Sequence, residues 1–270
     1  MALVSFIIPY YNGAAYLPEA LQSIVDHSAI DDNEIIIIND GSTDKKSLEY
    51  LDTIAVDARY TILHQQNLGP AAARNAGIKK ATGEFIFFLD SDNRLTGDYV
   101  KECVNVLTNN KAVGVVYGRP VFFGENIPQR FTSMEFDPSR IVHENYIDMC
   151  CMVRRIVFNE AGLLDENKIV VGHEDWEFWL RLSDTSWKFH FLENSFFEYR
   201  VRKDSLIEQA NSHENYNRLL KYLFVKYPRL YYDNYTRFKK KSRTYDYENK
   251  HPLRAFLKKI FGYKEKERSF

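Results

Sequence analysis

Apolar and polar positions fall into short alternating blocks along the first hundred residues. "LVSFIIP" predicts a strand stopped by Pro9. "AYLPEALQSIVDHS" puts Leu17, Leu21, Ile24 and Val25 at helical spacing. "EIIIIND" is a continuous apolar run, the pattern of a parallel strand buried on both faces. "STDKKSLEYLDTI" opens on Ser42 or Thr43 as an N-cap and turns helical. "YTILHQ" predicts a short strand, "GPAAARNAGIKKAT" a helix stopped at Gly83, and "FIFFLD" another buried strand. Strand and helix in alternation predict an α/β sheet with right-handed crossovers. Ligands in such sheets gather at the carboxyl ends of the strands.

Those ends are polar. They read "PYYN", "NDGSTD", "QQNLGP" and "DSD" in turn. Further on, "VGVVYG" and "VFFGE" predict two strands, and "MCCMVRRIVFNEAGLLDE" a strand and a short helix ending near Gly162. "HEDWEFWLRLSD" predicts a helix with Trp176, Trp179 and Leu180 on one side. "WKFHFLE" and "SFFEYRVR" predict two more strands. Residues 252–262, "PLRAFLKKIFG", predict an amphipathic basic helix, with Leu253, Phe256, Leu257, Ile260 and Phe261 on one face.

Charge changes the picture more than composition does. The chain's net charge is −1, yet residues 226–270 hold 14 Lys/Arg against 5 Asp/Glu. A basic tail on an acidic body points to an anionic surface or partner for the tail. Cys103, Cys150 and Cys151 suggest neither a disulfide framework nor a zinc site. The apolar N-terminal run is too short to span a bilayer and predicts a buried strand. The expected location is cytoplasmic, peripheral on the inner face of the cell membrane.

The candidate chemistry sits at the strand ends. Asp90, Ser91 and Asp92 follow a buried strand, and two carboxylates and a hydroxyl there can surround a hard divalent cation. A solvated Asx turn is the bland alternative. Asp40 can accept hydrogen bonds from a planar base or serve as a helix cap. Arg74 on an Ala-rich helix needs an acid or a phosphate, and a salt bridge to Asp90 or Asp92 is the main rival to ligand binding. Glu174 and Asp175 begin a helix, where acids suit the dipole. Apolar Phe178, Trp179 and Leu182 beside Asp175 also fit a general base whose pKa is raised by partial burial. No P-loop, GxGxxG or GxSxG motif is present, which removes the main support for ATPase, dinucleotide and esterase readings. The acidic body argues against nucleic acid.

The order "FIIPYYNGAAYLPEALQSI", "IIIINDGSTD", "NLGPAAARNAGIKKATGEFIFFLDSDN", "RRIVFNEAGLLDE" and "HEDWEFWLRL" resembles family 2 glycosyltransferases over about residues 3–205. The resemblance implies a GT-A fold: a Rossmann-like mixed sheet with helices on both faces, here with a C-terminal helical extension. It implies a catalytic domain over 1–210, with a nucleotide-binding half 1–95 and an acceptor half 96–210. Residues 211–270 would be the basic, aromatic-rich extension. The implied activity is inverting transfer of a hexosyl or N-acetylhexosaminyl group from a nucleotide-diphosphate sugar, usually UDP-linked. The acceptor would be a glycan, a lipid-linked oligosaccharide or a glycoprotein, as in bacterial polysaccharide synthesis.

Carried over by resemblance, Pro9, Tyr10 and Asn12 line the base pocket and Asp40 bonds the base. Asn67, Gly69 and Arg74 hold the nucleotide. Asp90 and Ser91 lie near the ribose and metal, and Asp90 with Asp92 binds Mn²⁺ or Mg²⁺. Asp175 resembles the base. "EYRVRKDSL" resembles a loop over the donor, with Arg200, Arg202 and Ser205 as diphosphate contacts. Many relatives have an acid where this chain has Asn93. His213 stands where some relatives carry a further metal ligand and is not assigned that role. A silent sugar-nucleotide or carbohydrate-binding module and a sugar nucleotidyltransferase are the alternatives. The intact acids argue against the first, and the lack of a Gly-rich basic phosphate loop against the second. The expected surface partner is an anionic membrane met through 252–262, with docking of the same face onto the body of the chain or onto a partner subunit as the alternative.

Overall fold

A computed structural model describes residues 3–28, 30–125, 131–203 and 205–252. The amphipathic stretch predicted over 252–262 lies, past Pro252, outside the described residues. The strands are β1 (Val4–Tyr10), β2 (Asn33–Asp40), β3 (Tyr60–Gln65), β4 (Phe85–Phe88), β5 (Arg94–Leu95), β6 (Val113–Gly124), β7 (Cys151–Arg154) and β8 (Lys188–Val201). They form one sheet in the order β3-β2-β1-β4-β7-β6-β8-β5. Pairing among β3, β2, β1 and β4 is parallel, and β7 runs antiparallel to β4 and β6. The sheet is thus a parallel part, β3-β2-β1-β4, continued by a mixed part in which β7 runs against its neighbours, β6 and β8 are parallel, and β5 runs against β8.

The helices that link these strands are α1 (Leu17–His27), α2 (Lys45–Ile54), α3 (Pro70–Lys80), α4 (Tyr99–Asn109), α5 (Ile156–Ala161) and α6 (Glu174–Ser183). Successive strand side chains point to opposite faces. Phe6, Ile8, Ile35, Ile37 and Phe87 therefore join one core with Leu17, Leu21, Ile24, Tyr99 and Leu107 from α1 and α4. Phe88, on the other face, meets Phe158 of α5 at 6.0 Å. Both faces are covered, which is why the strands read as unbroken apolar runs.

On that second face α3 packs closely over β1 and β2. A Cβ at Gly77 would lie 2.5 Å from Ile7 Cγ2 and 2.9 Å from Ile38 Cδ1. Alanine gains about 1 kcal/mol in helix propensity, while overpacking costs about 1–3 kcal/mol. Gly77→Ala is expected to lower stability, read as a lower urea midpoint. A midpoint equal to or above wild type would show that α3 can move away from the sheet.

Several expected boundaries shift. Pro9 does not stop β1. It lies past the last β1–β4 pair, Ile7 with Phe88, where a missing N–H costs little. Asp44, not Ser42 or Thr43, caps α2, its carboxylate accepting from Ser47 N at 2.9 Å. Gly83 does not end α3, which closes at Lys80. Its role is close approach: a Cβ there would be 2.6 Å from Ser5 Oγ. The two strand pairs expected over 113–125 and 187–202 are each one long strand, β6 and β8, paired in parallel with register shifts. The three cysteines are free and buried.

The chain forms two compact units divided between Leu223 and Phe224. Helices α7 (Leu206–Ala210), α8 (His213–Lys226) and α9 (Pro228–Lys250) complete the described residues. No described helix is long and apolar enough to cross a membrane.

Candidate active site

The parallel register brings the carboxyl ends of β1, β2 and β3 to one edge: Tyr10 lies opposite Asn39, and Asp40 opposite Gln65. Asn12 follows β1 with φ 50°. Its Oδ1 accepts from Thr43 N at 2.8 Å and Asp44 N at 3.1 Å, and its own N donates to Ser42 Oγ at 3.0 Å. Asn12 therefore clamps the loop leading into α2. Pro9 is half-buried. Tyr10 departs from expectation: its ring is 1% exposed within the core, and its hydroxyl donates to Ser47 O at 3.4 Å. The ring cannot line an open base pocket. Tyr11, 49% exposed, is the aromatic at this edge.

Asp40 is buried and heavily used. Its Oδ1 accepts from Gln65 Nε2 at 2.8 Å and Leu68 N at 2.9 Å, and its Oδ2 from Gly69 N at 2.9 Å. A carboxylate has about four acceptor sites, so one remains on Oδ2 for a base. Meanwhile Asp40 shapes the loop that carries exposed Asn67 and the positive-φ Gly69. Gly41, at φ 71°, lets that loop come in close; a Cβ there would sit 2.7 Å from Asn67 N.

Arg74 is the hinge of the site. It is buried on α3 and forms two ion pairs of 2.6 Å, Nη2 with Asp90 Oδ1 and Nη1 with Glu174 Oε1. Burial opposes its charge, but Asp90 and Glu174 outweigh burial and hold it charged. Glu174 is also bound by Gly172 N, which donates to Oε2 at 2.8 Å. One guanidinium thus ties the turn after β4 to the first residue of α6. The rival considered for Arg74, a salt bridge to the DSD turn, is present.

Asp92 is ion-paired through Oδ2 to Arg202 Nε at 3.1 Å. Burial, then the Asp90 charge, push its carboxyl up to about 6, against the pull of Arg202 and Arg200. Ser91 is half-buried, its Oγ 3.4 Å from where a Gly13 Cβ would stand. Asn93 is buried and accepts from Arg200 N at 2.9 Å. Arg200 donates from Nε to Asp92 O at 3.0 Å and pairs with Glu19 at 2.7 Å, its guanidinium over Tyr16 and Phe123. Arg200 therefore braces the DSD turn, and Arg202 is the arginine that meets an acidic side chain of it. Ser205 is half-buried just before α7. His213 opens α8, its Nε2 3.0 Å from Asn217 Nδ2.

Asp175, second residue of α6, is half-buried. Trp176 N donates to its Oδ1 at 2.7 Å and Asn145 Nδ2 to its Oδ2 at 2.9 Å. Burial first, then the charges of Glu174 and Asp148, hold its carboxyl well above the ordinary range, with the two donors pulling it back. Asp148 is itself pushed up to about 7 by burial and then by Asp90. Neither Asn145 nor Asp148 was anticipated. The signal for Asp148 was available: a single acid within apolar "YIDMCCMV".

The donor set fits a small hard cation. Asp90 and Asp92 use one oxygen each in their ion pairs and keep a second oxygen, and their mutual repulsion would be relieved by a divalent ion. Among the described residues no group of three His, Cys, Asp or Glu forms a ready cage. Mg²⁺-type ions are commonly held by one or two carboxylates plus substrate phosphates, so the pair suffices.

The helix-covered mixed sheet with acids collected at its strand ends is that of a GT-A fold, as its likeness to solved glycosyltransferases shows. The family model for glycosyl transferase family 2 matches residues 5–164, and that for glycosyl transferase family group 2 matches 85–252. An uncharacterized glycosyltransferase of Haemophilus influenzae is 36% identical over 186 residues, 67% of this chain and 71% of the relative. The minor teichoic acid biosynthesis protein GgaB of Bacillus subtilis is 27% identical over 78% of this chain, which spans 25% of that protein. Among solved structures, S. aureus TarS 1–349 in complex with UDP-GlcNAc has a TM-score of 0.65 at 20% identity, covering 83% of this chain and 66% of that one. The mannosyltransferase PcManGT from Pyrobaculum calidifontis, in complex with GDP-Man and Mn²⁺, has 0.60 at 17% identity, covering 84% and 64%. The chain belongs to glycosyltransferase family 2 and is a transferase enzyme.

Proposed function

We propose that the protein transfers a sugar, with inversion, from a nucleotide-diphosphate donor of the UDP type to an acceptor hydroxyl of a growing glycan. The observation that carries this is the Asp90–Arg74–Glu174 bridge, which joins the DSD turn to the helix presenting Asp175. Residues 1–210 are the proposed catalytic domain and 211–270 the extension. The base would lie at the β1 and β2 ends, against Pro9, the Tyr10 backbone, Tyr11 and Asn12, with Asp40 offering its remaining acceptor site. Asn67 and Gly69 would flank the nucleotide. The diphosphate would lie between the DSD turn, with Ser91, and the β8 end, where Arg202 and Ser205 can reach it. Arg74 and Arg200 act by holding Asp90 and the turn in place.

In the transfer, Asp175 takes the proton of the acceptor hydroxyl as that oxygen bonds to the anomeric carbon. The carbon–oxygen bond to the diphosphate breaks on the opposite side, and its electron pair leaves with the nucleoside diphosphate. Mn²⁺ or Mg²⁺ on Asp90 and Asp92 would supply positive charge to the diphosphate. The UDP-GlcNAc complex of TarS and the GDP-Man complex of PcManGT support a nucleotide-sugar donor. Asp92→Ala is expected to lower metal-supported turnover about a hundredfold or more. Full activity in that variant would remove Asp92 from the site.

The extension would rest on an anionic membrane surface. Helix α9 carries seven Lys/Arg against three Asp/Glu. Its Tyr232, Tyr235, Phe238 and Tyr245 are all more than half exposed. Aromatic and basic side chains together suit a lipid interface. Removing residues 228–270, α9 together with the basic stretch that follows it, is expected to weaken binding to anionic vesicles in a flotation assay. Equal flotation of truncated and full-length protein would count against membrane docking by this segment.

A further inference from the structure

Asp175 is gripped from two elements. Trp176 N, on its own helix, holds Oδ1, and Asn145, on the segment before β7, holds Oδ2. The amide orientation of Asn145 is set by Ile147 N, which donates to its Oδ1 at 3.2 Å and so turns Nδ2 toward Asp175. The segment is in turn locked to α6 itself. Trp176 Nε1 donates to Ile141 O at 2.6 Å, and Trp179 Nε1 to Ile147 O at 3.0 Å. Both indoles are buried. The helix that carries the base thus carries the two anchors that fix the residue aiming it.

We propose that Asn145 is a positioning residue for the transfer, holding the Asp175 carboxylate in one orientation and in a form able to accept a proton. This rests on the reading of Asp175 as the base. Two carboxylates near Asp175 oppose its charge, Glu174 beside it on α6 and Asp148 on the same segment as Asn145; the Cys151 thiol on β7 is kept protonated by its burial, and the nearby Arg74 cation is ion-paired to Glu174. Among the described residues Asn145 is the side chain that donates a hydrogen bond to the carboxylate, so its loss should move the titration upward.

The test uses the full chain with ¹³C-carboxyl-labelled aspartate, followed by NMR from pH 4 to pH 9. Asp175→Asn identifies the resonance by its disappearance. Asn145→Ala, which removes the donor and adds no charge, is expected to raise the Asp175 midpoint by about one pH unit or more. Asn145→Asp keeps an acceptor for Ile147 N and is expected to raise it further, so the test survives if the alanine variant does not fold. An unchanged midpoint in a folded Asn145 variant overturns the proposal. Failure of the base reading looks different: Asp175→Asn would keep wild-type turnover of a donor while the Asn145 shift still appeared.

Discussion

Asp175→Asn is expected to lower transfer by about a thousandfold, within the range that a positioned general base contributes. Donor affinity should change little, because the carboxylate acts on the acceptor. The pH dependence has a definite sign. The folded-state value of this carboxyl is raised by burial and by Glu174 and Asp148. Activity that needs its charged form should therefore fall as pH drops through a value above the ordinary carboxylate range. For stability the sign is reversed. The unfolded carboxyl gives up its proton at lower pH than the folded one, so stability is lost as pH rises between the two values. Above both, the charged group opposes folding. Asparagine keeps the shape without the charge, so the variant should be as stable as wild type or more stable at pH 8 while losing its activity. An inactive variant with a much lower unfolding midpoint would point to misfolding instead.

Arg74→Met is the second large effect. The side chain is enclosed with two ion-paired carboxylates, and Glu174 is as buried as Arg74 itself. Removing one partner of a buried pair leaves charge without compensation and costs about 3–5 kcal/mol. That exceeds any gain from placing an apolar side chain at this buried position. Urea unfolding should show the loss, and restoring a single positive charge with Arg74→Lys should recover only part of it, since lysine lacks the fork that reaches both acids. Replacing Arg74 and Glu174 together should cost less than Arg74→Met alone, because the more buried orphan is gone. A loss below about 1 kcal/mol in Arg74→Met would mean that water enters and screens the bridge.

The parallel half of the fold is legible because burial on both faces removes polar alternation. Ile35 to Ile38 and Phe85 to Phe88 are fully or almost fully enclosed, and their shortness and β-branched or aromatic content mark them as strands. The acids at the strand ends are legible for the same reason, as polar residues where an apolar run stops. What escapes is decided by partners distant in sequence. Asp44 becomes the α2 cap because Asn12, 32 residues earlier, holds the backbone at Thr43 and Asp44. Tyr10 turns inward and Tyr11 outward, a choice between two identical side chains set by the pleat of β1. Arg200 and Arg202 look equivalent in "YRVR", yet only Arg202 meets the Asp92 carboxylate, while Arg200 is taken by the Asp92 carbonyl and Glu19. Asn145 sits in an irregular segment with no period, anchored through backbone carbonyls that any residue would provide. The long strands β6 and β8 read as pairs because their register shifts interrupt the pattern that marks one strand.

The most direct test of the central claim is a donor screen. The protein is incubated with Mn²⁺ and a panel of UDP-, dTDP- and GDP-sugars, and free nucleoside diphosphate is measured beside Asp92→Ala and Asp175→Ala. The expected result is metal-dependent release from one donor class, lost in both variants. Turnover that persists in both variants, or failure of every donor to bind by calorimetry, would contradict a transferase site built on the DSD turn and Asp175.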